Sequence, residues 1–231
     1  MDSRLIVALD VPRIADAEAL AARLNGAVSW FKLGLQLFPL GAMDVSARLR
    51  AKGKKTFLDW KLHDIPKTVE RATRSIAEAG GDFLTIHAEP DIMRAAVQGK
   101  ADDPDLKLLA VTVLTAYDDA MLTEMGYAYT ARDLVFRRIE QALEAGMDGM
   151  IISPLEATEA RKRFGDDFLI VTPGVRPAGS DVGDQKRVAT PGEAMRMGAD
   201  YVVVGRPVAE AADPVAAANA INAEIAEALG K

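Results

Sequence analysis

Cysteine is absent from this 231-residue sequence, and histidine occurs only at His63 and His87. The first absence excludes disulfides, thiolate nucleophiles and sulfur-ligated metals. The second leaves too little imidazole for a histidine-rich metal site. An excess of positive charge is also missing. The formal net charge is −6, which argues against a nucleic-acid or anionic-membrane surface but not against a local site for a small anion. No apolar run approaches the ~20 residues that span a bilayer. Leu5-Ile6-Val7-Ala8-Leu9 stops at Asp10, too short for the apolar region of a signal peptide, so a cytoplasmic protein is expected. The loops Gly-x-x-x-x-Gly-Lys-Ser/Thr, Gly-x-Gly-x-x-Gly and Gly-x-Ser-x-Gly are lacking as well. Neither a nucleoside triphosphate, nor a dinucleotide, nor a serine-hydrolase elbow has a motif here.

What is present is a regular alternation. Hydrophobic residues at 49% and charged residues at 27% are ordinary globular values. Eight short β-rich apolar runs recur: Leu5–Leu9, Trp30–Leu35, Thr56–Asp59, Phe83–His87, Leu108–Leu114, Met150–Ser153, Leu169–Thr172 and Tyr201–Val204. They are continuously apolar, as expected of parallel strands buried on both faces. Helical patterns fill the gaps at Asp16–Leu24, Ala42–Ala51, Thr68–Ala79, Thr130–Glu144, Pro191–Gly198 and Pro214–Leu229, with two more after Pro90 and Pro154. No linker or composition break interrupts them. Eight strand–helix units in this length predict an α/β fold, a single (β/α)8 TIM barrel domain over residues 1–231. An open doubly wound sheet is the alternative.

The polar residues favour the barrel because they fall at strand carboxyl ends. Asp10, Lys32, Asp59 with Lys61, His87 and Thr115 end or interrupt the first five strands, and Pro173-Gly174-Val175-Arg176 and Gly205-Arg206-Pro207 follow the last two. A barrel gathers these ends around one mouth, where the catalytic groups of this fold sit.

The densest stretch is Phe57-Leu58-Asp59-Trp60-Lys61-Leu62-His63-Asp64-Ile65-Pro66. Residues two apart in a strand share a face, so Asp59 and Lys61 should project side by side, with Asp64 in the turn beyond. A plainer reading makes Asp64 a helix cap and Lys61 the neutraliser of Asp59 at a rim, and Lys32 a snorkelling edge lysine. Together, however, Asp10, Lys32, Asp59, Lys61 and Asp64 would form an alternating-sign cluster. Two unit charges ~4 Å apart interact by about 4 kcal/mol at an effective dielectric of ~20, enough for such a cluster to hold its members ionised. The lysines already supply the positive charge that a metal would bring.

The opposite side reads as a phosphate site. Gly205-Arg206 opens the turn after the eighth strand, where backbone N–H groups and a guanidinium suit phosphate oxygens. A tight turn with a solvated arginine is the plainer reading. The loop from Pro173 to Arg187, with Gln185, Lys186 and Arg187 at its far end, is long enough to serve as a lid. His87 has no assigned role, and His63, expected to point opposite to its neighbours in the motif, is expected to be structural.

These residues resemble a known family. Asp59-Trp60-Lys61-Leu62-His63-Asp64-Ile65-Pro66-Lys67-Thr68-Val69 is similar to the signature of bacterial orotidine 5′-phosphate decarboxylases. Val7–Asp10, Phe31–Gly34, Val111–Thr115, Val171–Pro177, Gly183–Arg187 and Val204–Pro207 agree in order, so the resemblance covers essentially the whole chain. It implies decarboxylation of orotidine 5′-monophosphate to uridine 5′-monophosphate without metal or cofactor, in a homodimer whose sites lie at the interface. By position, it makes Lys61 the proton donor to C6 and sets Asp59 against the substrate carboxylate. Lys32 and Asp64 would complete the charged network, with Asp64 and Thr68 supplied by the partner subunit. Asp10 and Lys32 would bind ribose hydroxyls, Thr115 the nucleotide, and Arg176, Gln185, Gly205 and Arg206 the phosphate and lid.

Three other functions stay open at this point. A sugar-phosphate decarboxylase of the same suprafamily shares Asp-x-Lys-x-x-Asp but needs a divalent metal. A Schiff-base aldolase would need Lys61 as a neutral amine, and nearby carboxylates push a lysine the other way. A non-catalytic nucleotide-phosphate sensor would need only the anion site.

Overall fold

Short, mostly apolar runs bounded by Gly, Pro and charged residues leave a strand nowhere to sit except between two covered faces. In the computed structural model, which describes residues 4–101, 103–177 and 189–230, eight such strands close into a parallel barrel. They are β1 (Leu5–Ala8), β2 (Trp30–Leu33), β3 (Lys55–Leu62), β4 (Phe83–His87), β5 (Lys107–Val111), β6 (Gly149–Ile151), β7 (Leu169–Thr172) and β8 (Tyr201–Val204). Each pairs with the next, and β8 pairs with β1 through Ile6↔Val203, so the open-sheet alternative falls.

The helices are α1 (Ile14–Arg23), α2 (Ala42–Ala51), α3 (Pro66–Ala79), α4 (Pro90–Lys100), α5 (Asp119–Glu124), α6 (Ala131–Glu144), α7 (Pro154–Phe164), α8 (Pro191–Arg196), α9 (Arg206–Ala209) and α10 (Pro214–Ala228). Several begin as their sequences dictate. Ser153, Thr130 and Asp213 cap α7, α6 and α10 with side-chain oxygens, and Thr190 with Glu193 forms a capping box on α8. Asp64 does not cap α3, whose N-cap is Ile65. The short helices α5 and α9 and a 3₁₀ turn at Phe38–Leu40 carry too few residues to show a period in the sequence.

Two apolar layers hold the barrel. The larger lies between sheet and helices and includes Leu5, Val7, Phe31, Leu33, Leu58, Trp60, Leu84 and Ile86. The smaller fills the barrel with Ile6, Ala8, Trp30, Phe57, Phe83, Leu109, Val171 and Val203, where Trp30 and Phe83 stack with ring centroids 4.3 Å apart. Burying a large apolar side chain stabilises by roughly 1.5–3 kcal/mol. This aromatic plug also floors the site: two residues beyond Trp30, Phe57 and Phe83 on the same inward face stand Lys32, Asp59 and Thr85.

Strand ends differ from the sequence expectation in both directions. β1, β2, β5 and β6 stop one to three residues early because apolar residues continue past the last ladder pair. β3 does the opposite and runs through Lys61 to Leu62. Among the described residues no helix is long and apolar enough to cross a membrane.

Candidate active site

β3 is irregular where its charges lie. Leu58 pairs with Leu84 and Leu62 with Ile86, so Asp59, Trp60 and Lys61 together face the single residue Thr85 on β4. Lys61 takes up this excess with φ +49°, a left-handed conformation uncommon for a residue with a side chain. The bulge turns Trp60 outward against Phe38, ring centroids 4.7 Å apart, and keeps Lys61 on the mouth side.

The side chains form a row of alternating charge. Lys61 Nζ donates to Asp59 Oδ1 at 2.7 Å. Lys32 Nζ lies 3.4 Å from Asp59 Oδ2 and donates to Asp10 Oδ1 and Oδ2 at 3.0 and 3.2 Å. Lys32 is only 8% exposed, so its charge is tolerable only because two carboxylates flank it. Burial alone pushes the Asp59 carboxyl up, but the charges of Lys32 and Lys61 and hydrogen bonds from Lys61 and Thr85 outweigh this and hold it below the usual carboxylate value. With the folded pKa below the unfolded one, the stability this contributes is present at neutral pH and is lost as pH falls through the folded value. Gly34 makes room for the row. A Cβ there would stand 2.5 Å from Asp10 Oδ1 and 2.9 Å from Lys32 Nζ.

Two hollows meet at this row. A cavity of about 230 Å³ is lined by Lys32, Asp59, Lys61 and Thr115 together with the apolar Val111, Val113, Ile151 and Val203. A cleft of about 680 Å³ shares Lys32, Pro173 and Val203 with it and extends to Asp10, Gly174, Arg176, Gly205 and Arg206. The two hollows thus join a mostly apolar end beside Lys61 to an end that carries Arg176 and Arg206.

Most of the residues expected at the mouth therefore converge: Asp10, Lys32, Asp59, Lys61, Thr115, Arg176, Gly205 and Arg206. Gln185, with Lys186 and Arg187, lies outside the described residues. Asp64 departs from the expected five-member cluster. It is exposed and accepts from the Ile65 N–H at 2.6 Å, outside the ion-pair row of its own chain, because the chain has already turned away into α3. Thr68 is exposed on the first turn of α3. His63 Nε2 lies 3.0 Å from Glu89 Oε1 and its ring is 4.8 Å from that of His87. Burial, with His63 and Arg138 nearby, lowers the pKa of His87, so its imidazole is neutral at neutral pH.

Thr85 belongs to no motif. Its signal in the sequence is parity alone: it stands two residues after the inward Phe83, as Asp59 follows Phe57.

A barrel that gathers paired lysines and aspartates at its mouth, with Lys32 buried between two carboxylates, is organised to meet charge on a small molecule, which places the chain among the barrel enzymes. The chain belongs to the orotidine 5′-phosphate decarboxylase / HUMPS family, whose model matches residues 3–221. An orotidine 5′-phosphate decarboxylase from Bradyrhizobium sp. (strain ORS 278) is 56% identical over 98% of this chain and 93% of its own length. That of Caulobacter sp. (strain K31) is 53% identical over 97% and 98%. The crystal structure of orotidine 5′-phosphate decarboxylase from Lactobacillus acidophilus superposes with a TM-score of 0.84 at 37% identity, covering 97% of this chain and 99% of that one.

Proposed function

We propose that this enzyme decarboxylates orotidine 5′-monophosphate to uridine 5′-monophosphate in pyrimidine biosynthesis, with Lys61 as the proton donor. The observation that carries the reading is the Lys61 ammonium, held at 2.7 Å by Asp59 and bordering a small cavity whose remaining lining is mostly apolar. Breaking the C6–carboxylate bond releases CO2 and leaves the electron pair on C6, where the pyrimidine ring has no conjugated sink. A fixed ammonium stabilises that developing charge and then gives C6 a proton, leaving Lys61 neutral until it regains one from solvent. Asp59 faces the substrate carboxylate and keeps the Lys61 side chain aimed. The cationic stabilisation comes from lysine, so the proposed step needs neither metal nor organic cofactor.

The remaining roles follow the two hollows. Asp10 and Lys32 hold ribose hydroxyls where the hollows join, and Thr115 contacts the nucleotide from the cavity lining. Arg176, Gly205 and Arg206 take the phosphate at the far end of the cleft, and Gln185, outside the described residues, is proposed to share that role. Asp64 and Thr68 serve the site of a partner subunit, which fits their exposure beside Ile65, an apolar residue left 68% exposed. The functional unit in this reading is a homodimer of single barrel domains spanning residues 1–231. It works in the cytoplasm and engages neither nucleic acid nor membrane, in keeping with the net charge of −6.

Spectrophotometric loss of orotidine 5′-monophosphate, followed with a chelator present, tests the reading. Turnover is expected at full rate; tight binding of uridine 5′-monophosphate without any turnover would leave only a sensor. Arg206→Ala tests the far end. Losing a charge-assisted contact to phosphate should raise KM for the nucleotide by about tenfold or more, while the unphosphorylated nucleoside is handled almost unchanged. Equal damage to both substrates would assign Arg206 to the fold or the ring site.

A further inference from the structure

The register of β3 against β4 places one side chain where backbone pairing fails. Three residues, Asp59, Trp60 and Lys61, face Thr85 alone, so the ladder cannot serve them all. The Thr85 hydroxyl supplies what is missing. It accepts from the Lys61 backbone N–H at 2.9 Å, and it lies 3.1 Å from Asp59 Oδ1. A hydroxyl has one hydrogen and two lone pairs, and an ionised carboxylate can only accept. The arrangement is therefore directional: Lys61 N–H to Thr85 Oγ1, and Thr85 O–H to Asp59 Oδ1. That same Oδ1 takes the Lys61 ammonium at 2.7 Å. One hydroxyl thus closes a ring running from the backbone of Lys61, through Asp59, to the tip of the Lys61 side chain.

We infer that Thr85 is a positioning residue, holding Lys61 in its left-handed conformation and orienting the Asp59 carboxylate so that the ammonium is aimed at the reacting carbon. It does not line the cavity, so it acts through Lys61 and Asp59 and not on the substrate. It is 0% exposed, and no bulk water can replace the lost bonds in place. The left-handed φ of Lys61 is sparsely populated for a residue with a Cβ and persists only where its surroundings over-determine it. The inference rests on the proposed role of Lys61.

Thr85→Val keeps the shape and removes the hydroxyl; Thr85→Ser keeps the hydroxyl and removes a methyl. Because small misplacements of reacting groups cost on the order of 10²-fold, Thr85→Val should lower kcat by about that factor. Its KM and its affinity for uridine 5′-monophosphate should stay within about threefold, since the ribose and phosphate contacts lie elsewhere. Thr85→Ser should return kcat to within about threefold of wild type. Equal damage in the Val and Ser variants overturns the inference, as does a Val variant with nearly full kcat. If neither Thr85→Val nor Thr85→Ala folds well enough to bind uridine 5′-monophosphate, Thr85 is a folding residue and the inference falls. Lys61→Ala, measured alongside, separates the two levels. An active Lys61→Ala enzyme removes the proposed donor and this inference with it, whereas an inactive one beside an unimpaired Thr85→Val removes the inference alone.

Discussion

Lys61→Ala is expected to remove turnover almost completely while leaving uridine 5′-monophosphate bound. The asymmetry comes from when the ammonium matters. Electron density builds on C6 only as CO2 departs, so a cation aimed there is worth most in the transition state and little to a product that carries a C6–H bond. The variant should remain folded. Asp59 keeps Lys32 near its Oδ2 at 3.4 Å and Thr85 at its Oδ1, so its buried charge is not orphaned by the loss of Lys61. Rates are read by loss of the orotate chromophore, and binding by calorimetry with uridine 5′-monophosphate. Retention of more than about a tenth of the wild-type rate, roughly 1.4 kcal/mol of barrier, would take Lys61 out of the role.

The second large effect is a gain of activity on mixing two dead proteins. Asp64 is exposed and sits outside the charged row of its own chain, next to the exposed apolar Ile65. If it reaches the site of a neighbour, each site takes Lys61 from one chain and Asp64 from the other. Lys61→Ala and Asp64→Ala homodimers are then both inactive. In a mixed dimer one site carries both lesions and the other carries neither. With random exchange half of the dimers are mixed and half of their sites intact, so activity should rise to about a quarter of wild type. Verified mixed dimers that stay inactive would return Asp64 to the site of its own chain.

Much of this protein can be read without coordinates, because the forces involved are local. Apolar runs such as Leu5–Ala8 and Tyr201–Val204 have no polar face to show to water, which requires a sheet covered on both sides. Helical periods between them supply the cover. The repeated appearance of Asp, Lys, Thr and Arg just past those runs already marks one end of a barrel as the site. Asp59 beside Lys61, and Lys32 inside an apolar segment, are legible for the same reason: such charges need partners. Strand ends at β2 and β5 were less legible, since hydrophobic residues continue past the last ladder bond and composition does not register where pairing stops.

What only the tertiary structure decided is pairing between distant segments. The shift between β3 and β4, the left-handed turn at Lys61 and the place of Thr85 opposite it depend on which residue of one strand meets which of another. Such register is set by side-chain packing across the whole barrel and leaves no mark in either strand alone. The same is true of Asp64. Its spacing from Lys61 promised a neighbour in one charged cluster, and the turn into α3 carried it out to the surface. Sequence spacing along an irregular strand does not measure distance; the barrel does, because its closed ladder leaves each side chain one place to go.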